Sequence, residues 1–343
     1  MAAATVDRSV ELANQIIAKL EQGIIPWRSV YGGGDTTGGE TIVRAKPANV
    51  MSLRPYEGRN FLSALTTIGL QGWNSAWFAT FKQWQSEDCM VRRGERATSV
   101  VSWRQMQTGI DPLTGQPIME FFQRWFNVFN IEQVEAVSDN GKKFLELSRE
   151  VIKSPVTVER VPITEVDANG DLYHQIPLLD RIPSAIGCNI HIDAGYVEAR
   201  YDGATDTIQM PPMVKFISTD AYYTTLLHES VHATMTQERC GRYQSGVVLA
   251  ENNYAREELV AEFASMLLAD KFGTVALYID NHAGYIQHWI RALRQEPKFL
   301  KDIMGDAVKA QRFIMTKLGL NNGGTTELAT GDTSDGAGEE EVA

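Results

Sequence analysis

Hydrophobic spacing changes twice along this chain of 343 residues, and each change predicts a different kind of element. In residues 5–22, Val10, Ala13, Ile17 and Leu20 recur at steps of three or four, the spacing of an amphipathic helix. A second helix is predicted over 60–69, opened by Asn60, and a third from Phe81 to Glu87. Ser99–Trp103 and Glu120–Phe129 are instead rich in Val, Phe and Trp, and the turn signal Asp111-Pro-Leu-Thr-Gly115 between them predicts a long hairpin. Short strands are then predicted at Asn189–Asp193, Tyr196–Tyr201 and Thr207–Met210, the last ended by Pro211-Pro212. Helices follow. Thr219–Gln237 has the spacing of a buried helix through Leu226, Leu227, Val231 and Met235. Further helices are expected from about Ala255 to Lys271, from Asn281 to Arg294, and from Pro297 to Leu318, where Gly319 stops the last.

This order divides the chain. Residues 1–135 form one domain, 136–155 a linker, 156–320 a second domain and 321–343 a tail. The linker holds the turn signal Asp139-Asn140-Gly141 and one helix-like run, Lys143–Ile152. The tail, with Glu327, Asp332, Asp335, Glu339, Glu340 and Glu341 among Gly and Thr, has too few apolar residues to pack and reads as disordered. The glycines of Tyr31–Glu40 are followed by no Gly-Lys-Ser/Thr, so they read as a loop and not as a phosphate cradle.

Composition is that of a soluble globular protein, 43% hydrophobic and 22% charged. The first twenty residues lack a basic start and an unbroken apolar run, so the chain is expected in the cytoplasm and away from membranes. Cys89, Cys188 and Cys240 are odd in number and widely separated, which fits reduced, structural thiols. The net charge of −11 is uneven: residues 1–135 hold thirteen Lys/Arg against thirteen Asp/Glu, so the whole acidic excess lies beyond them.

Chemistry is concentrated in His228-Glu229-Ser230-Val231-His232. Histidines four apart stack on one helix face and can hold one Zn²⁺, and in this spacing the intervening Glu229 takes the proton from the attacking water. Twenty-six residues after His232, the next helix carries Glu258 one turn before Glu262. Glu258 is assigned to the metal and Glu262 to orienting a histidine ligand. Tyr222, Tyr223, Tyr243 and Tyr254 are candidates for stabilising a tetrahedral oxyanion, and the sequence does not choose among them. Thr207–Met210, just before the metal helix, is a candidate edge for pairing with an extended peptide, an internal strand being the alternative.

In the first domain, cations and aromatics are interleaved. Arg92, Arg93, Arg96 and Arg104 are candidate phosphate contacts, with Trp103 and Tyr56 as stacking groups, a chemistry suited to single-stranded nucleic acid. The competing expectation is that at least half of Trp27, Trp73, Trp77, Trp84, Trp103 and Trp125 fill the core.

Pro26-Trp27-Arg28, Ser52–Asn60, Trp77–Trp84, Val91-Arg-Arg-Gly-Glu95, Asn127-Val-Phe-Asn130, His228–His232 and Glu257–Glu262 together resemble the ArdC antirestriction family of conjugative plasmids and phages, over residues 5–320. The first-domain motifs are also similar to the N-terminal regions of plasmid transfer primases, whose catalytic region has no counterpart here. The resemblance implies an α+β protein of two domains. The first would be an aromatic-rich α+β domain that binds single-stranded DNA. The second would be a zincin-like metallopeptidase domain, a small sheet backed by helices, similar to the SprT/Spartan group. It further implies protection of incoming plasmid or phage DNA from host restriction. The partners would be single-stranded DNA and an unidentified protein substrate, among host restriction or other DNA-bound proteins. Two alternatives stay open: a non-catalytic strand-binding protein with a structural or vestigial zinc site, and a DNA-mimicking restriction inhibitor suggested by the net charge.

Overall fold

The computed structural model describes residues 8–27, 46–110, 115–147, 158–167, 169–243, 251–274, 283–296 and 299–320. The glycine-rich loop at 31–40, the turn at 111–114, the connector from 148 to 155 and the acidic tail lie outside the described residues.

Helix α1 (Arg8–Leu20) forms as its periodicity predicts, burying Ala13, Ile16, Ile17 and Leu20. Strand β1 (Ala48–Asn49) is followed by α2 (Gly58–Gln71), which starts two residues before Asn60. Its N-cap is Glu57, whose side chain makes no capping bond. Asn60 has a different use: its side chain accepts from the Val101 N–H at 2.8 Å and donates to the Val101 carbonyl at 2.7 Å, tying α2 to the hairpin. Strand β2 (Trp77–Thr80) leads directly into α3 (Phe81–Ser86), where Thr80 and Gln83 form a capping box.

After β3 (Cys89–Val91), the predicted hairpin is longer than its sequence signal: β4 (Thr98–Ile110) and β5 (Pro117–Asn130) pair antiparallel along almost their whole length. With β1 and β2 they make a sheet of order β1-β2-β5-β4. At about 3.4 Å per residue the hairpin strands reach roughly 44 Å, whereas the fourteen residues of α2 cover about 21 Å at 1.5 Å each. The outer part of the hairpin therefore extends beyond its helix cover.

Residues expected to begin the linker belong to this first unit. Strand β6 (Val134–Ala136) pairs with β3, and α4 (Asp139–Glu146), capped by Ser138, packs Phe144 and Leu145 against the Trp84 cluster. A Cβ on Gly141 would meet the Asp88 carbonyl oxygen at 2.2 Å, so only glycine permits this approach of α4 to the α3–β3 turn.

The second part opens with β7 (Val161–Val166), β8 (Leu172–Gln175) and two single-turn helices, α5 (Pro177–Asp180) and α6 (Ile182–Ala185). A three-stranded sheet follows from β9 (Asn189–Ile192), β10 (Arg200–Asp202) and β11 (Thr207–Met210), in the order β10-β11-β9. Tyr196–Ala199, expected at the start of a strand, precedes β10 instead of joining it. Strand β11 is internal, parallel to β9 and antiparallel to β10, so the candidate edge at Thr207–Met210 has both sides occupied. Among the described residues, β9 and β10 are the edge strands of this sheet.

Among the described residues four helices follow: α7 (Thr219–Ala233), α8 (Glu251–Phe272), α9 (Ala283–Gln295) and α10 (Phe299–Lys317). Helix α7 is buried on nearly every side, as its apolar content predicts, and packs against α8, β10 and β11. One hydrophobic core runs from α1 and α2 into α8, α9 and α10. Trp27 is its hinge point, edge-on to Phe263 at 5.0 Å between centroids and 5.9 Å from Trp289. Gly69 makes room for it: a Cβ there would lie 1.8 Å from the Pro26 carbonyl oxygen. Among the described residues no helix is long and apolar enough to cross a membrane.

Candidate metal centre and nucleic-acid interface

Helix α7 begins where Ser218 accepts from the Ala221 N–H at 3.2 Å, and that start sets the rotation of every residue behind it. His228 and His232 fall one turn apart on the same face, with Nε2 atoms 3.1 Å apart. Packing of α8 across α7 brings the Glu258 carboxylate to both: Oε2 lies 3.5 Å from His228 Nε2 and Oε1 3.4 Å from His232 Nε2. Donor atoms of the three residues all lie within 4.8 Å of one another. A tetrahedral zinc ion bound at about 2.0–2.1 Å needs donors roughly 3.3 Å apart, so these residues fit the ion. The His228 side chain is 18% exposed and that of Glu258 7%, which leaves the site open on the His228 side. Glu229 follows His228 on α7 and is itself buried.

Charge holds the cluster together. Burial works against the charged form of Glu258, but the Coulombic pull of His232, with hydrogen bonds from both histidines, outweighs it and keeps this carboxyl far below the ordinary carboxylate range. Burial likewise disfavours the His232 imidazolium, yet Glu258 and Glu257 raise its pKa well above that of a free histidine. A metal ion would take over the positive role of that proton.

Glu262, expected to orient a histidine, is buried one turn beyond Glu258, and a second carboxylate, Glu257, brings its Oε1 to 3.5 Å from His232 Nδ1. Glu257 is in turn gripped by Arg242, whose Nε and Nη2 donate to its two oxygens at 2.9 and 2.5 Å. The signal for Glu257 was present in the doublet Glu257-Glu258, since adjacent helix positions point about 100° apart and can serve different atoms. Nothing in the chain pointed to Arg242, which lies in the turn after α7.

Of the tyrosine candidates, Tyr223 is committed elsewhere, donating to Asp180 at 2.9 Å and accepting from the Ile176 N–H. Tyr222 is buried against Phe216, and Tyr243 donates to the Asn253 carbonyl at 3.2 Å. Tyr254 lies one turn before Glu258 on α8 and is 42% exposed. All three cysteines are buried thiols outside any disulfide, and burial pushes the Cys188 thiol up to about 12.

The residues expected at a nucleic-acid surface separate. Arg92 is a local clamp, donating to Glu95 at 2.9 Å, to the Val134 carbonyl at 3.3 Å and to the Glu132 carbonyl. Tyr56 is partly buried, its ring edge-on to Phe78 and its hydroxyl turned into the interior. Arg93 and Arg96 are exposed. Trp103 and Arg104 lie on β4, and their side chains are outside the described residues. Trp27 and Trp84 are fully buried and Trp73 and Trp77 pack against core clusters, so most of the tryptophans do fill the interior. Trp125 does not: it is 48% exposed, and Phe122 43%, on the outer hairpin. Neither was singled out from the sequence, because their exposure follows from the length of the hairpin relative to α2.

Fold and site define a two-domain α+β protein in which an aromatic-rich N-terminal unit precedes a zincin-like domain. Residues 7–129 match the family described as the N-terminal domain of anti-restriction factor ArdC, and residues 178–303 that described as zincin-like metallopeptidase. The chain belongs to the ArdC-like antirestriction family. Uncharacterized protein y4eC of Sinorhizobium fredii is 30% identical over 310 residues, covering 88% of each chain. An Escherichia coli DNA primase TraC is 28% identical over 310 residues, 89% of this chain but only 27% of the primase, so the resemblance spans about a quarter of that relative. The crystal structure of the antirestriction ArdC protein from the R388 plasmid, in its metal-free form, superposes with a TM-score of 0.60 at 24% identity, covering 91% of this chain and 98% of that one. The Mn(II)-bound form of the same protein has the same TM-score at 25% identity.

Proposed function

We propose that this chain is a metallopeptidase guided by single-stranded DNA, which protects entering plasmid or phage DNA by acting on proteins met there. The observation that carries the reading is the convergence of His228, His232 and Glu258 donor atoms within 4.8 Å, with Glu229 next to them on the same helix. The Mn(II)-bound relative supports a metal-binding role without fixing the ion, and Zn²⁺ is the choice that the donor set favours.

When bound, the metal supplies Lewis acidity, polarising a scissile carbonyl and making water a nucleophile at neutral pH. The protein's own part is as follows. Glu229 takes the proton from the attacking water and delivers it to the leaving amine nitrogen. Tyr254, on the exposed side of α8, donates its hydroxyl hydrogen to the carbonyl oxygen as negative charge develops there. Extended substrate backbone pairs with β10, the free edge on the side where α7 packs.

For DNA, the outer hairpin supplies the platform. Phe122 and Arg124 share a face of β5, and their Cα partners across the hairpin are Arg104 and Ser102. Nearer the body the same face carries Phe126 and Val128 into the core; farther out it has lost its helix cover. Arg124 lies 5.0 Å from the Phe126 ring, and Trp125 offers its indole on the opposite face. The exposed rings of Phe122 and Trp125 with Arg124 match base stacking combined with phosphate neutralisation, and Arg93, Arg96 and Arg104 remain candidates for further phosphate contacts.

The test is proteolysis of DNA-bound proteins by purified protein of known metal content, with and without single-stranded DNA, beside the Glu229→Ala variant. Cleavage that requires Glu229 and rises with DNA is expected. Equal strand protection by parent and variant, with no cleavage by either, would replace this reading with that of a strand-binding protein whose metal is structural.

A further inference from the structure

Arg242 lies outside both helices that carry the metal donors, yet it is fixed to each. On the α8 side it grips Glu257 through two parallel bonds, Nε to Oε2 at 2.9 Å and Nη2 to Oε1 at 2.5 Å. On the α7 side it donates to the Thr234 hydroxyl and the Val231 carbonyl, both at 3.1 Å, at the end of the helix that carries His232. Glu257 is 1% exposed and the Arg242 side chain 5%, so neither charge has water as a substitute partner. Oε1 of Glu257, the oxygen that takes Arg242 Nη2, also lies 3.5 Å from His232 Nδ1. A histidine whose Nδ1–H points at a carboxylate has its tautomer and ring orientation fixed, and Nε2 is left as the metal donor.

We propose that Arg242 is a positioning residue for the metal centre: its fork holds Glu257, and Glu257 holds the His232 ring with Nε2 toward the ion. This rests on the metal-site reading above and names the part that keeps one donor in register. A guanidinium is suited to it because its planar fork fixes a carboxylate in orientation as well as in charge, which an ammonium does not. Arg242 works through Glu257 and has no separate line to the metal.

The experiment measures Zn²⁺ and Mn²⁺ dissociation constants of the full chain by chelator competition for the parent, Arg242→Met, Arg242→Lys, Glu257→Gln and the double variant Arg242→Met/Glu257→Gln. Helix content and thermal melting are followed in the absence of metal. Loss of an outer partner of a metal-bound histidine typically weakens binding about 10–100-fold. Arg242→Met and Glu257→Gln are each expected to weaken binding in that range, Arg242→Lys less than Arg242→Met, and the double variant no more than the worse single one. In ¹⁵N-histidine spectra of the zinc-loaded parent, His232 should carry its hydrogen on Nδ1 in one sharp state that broadens in Arg242→Met. A purely structural arginine would lower the melting temperature and leave the affinity of the folded variants unchanged. Folded Arg242→Met binding metal within about twofold of the parent would overturn the proposal, as would single-variant losses that multiply in the double variant. A parent that takes up neither ion would instead overturn the metal-site reading itself.

Discussion

The candidate metal centre and the outer hairpin place their side chains in opposite ways. At the metal centre every donor is on a packed helix, and the charged groups satisfy one another: Arg242 with Glu257, Glu257 with His232, His232 with Glu258. On the hairpin the functional candidates are exposed rings on strands that have outrun their helix. The first arrangement pre-organises a single geometry for one ion. The second leaves a tolerant surface, suited to a ligand whose every base offers a similar face. The proposed function, action on proteins at arbitrary DNA sequences, would need both, and the shared core through Trp27 joins them.

The largest expected effect lies at the metal centre. Glu229→Ala should lower peptide hydrolysis by about 10²–10⁴-fold, the usual worth of a positioned proton carrier. Metal content, measured by atomic absorption, should stay at one ion per chain. If the same substitution abolished metal binding, Glu229 would be a donor and the assigned division of labour would be wrong.

The shared core comes next. Trp27→Ala removes a fully buried indole from between Phe263 and Trp289 and should cost about 3–5 kcal/mol. Scanning calorimetry should show one transition moving down as a unit. Two separated transitions, with only the first lowered, would show that the N-terminal unit and the metal helices fold independently despite their contact.

On the hairpin the effects are smaller and different in kind. Phe122→Ala and Trp125→Ala should each weaken single-stranded DNA binding by about 1–3 kcal/mol with the salt slope unchanged. Arg124→Ala should lower the slope of log affinity against log salt by roughly 0.7. Stability should hardly move in any of the three, because the side chains are exposed. Unchanged DNA affinity in both ring variants would remove the hairpin from the interface and leave Arg93 and Arg96 as the starting point.

How much of this the sequence discloses follows the same division. The grouping of His228, His232 and Glu258 is legible because helical periodicity converts spacing directly into a shared face, and the second helix repeats the logic. Helix and strand positions largely agree for the same reason, as in the hairpin and α7–α10. What was not legible depends on distant partners. Asn60 reads as a helix cap, but a pairing with Val101, forty-one positions away, claims its side chain. Thr207–Met210 reads as an edge until β9 and β10 occupy both sides. Arg92 reads as a free cation until the β3–β6 pairing brings the carbonyls of Glu132 and Val134 beside it. Arg242 gives no local signal, since its role exists only where α7, α8 and the intervening turn meet.

The smallest effect tests whether ordered charge in this domain is confined to the metal centre. Asp206 stands in the β10–β11 turn at φ +50°, a left-handed conformation that Asn also tolerates, so Asp206→Asn removes charge without straining the backbone. Its two oxygens receive Arg239 Nη1 and Nη2 at 2.7 and 2.6 Å, and Tyr201 donates at 2.8 Å. Burial disfavours its ionised form, but the Arg239 and Tyr201 bonds outweigh that and hold the carboxyl below its ordinary pKa. A depressed folded value means that the charged form stabilises the fold above the unfolded pKa and that this contribution fades as pH falls through the folded one. Charged hydrogen bonds of this kind are worth about 1.5–3 kcal/mol. The Asp206 side chain is 41% exposed, so solvent screening brings the expected loss in Asp206→Asn to about 1–2 kcal/mol at neutral pH. Urea melts of parent and variant should converge as the pH is lowered past the folded pKa of Asp206. A difference that persists there undiminished would mean that the amide disturbs the turn itself, and that Arg239 draws its hold from the Ile186, Ala233 and Gly187 carbonyls it also contacts.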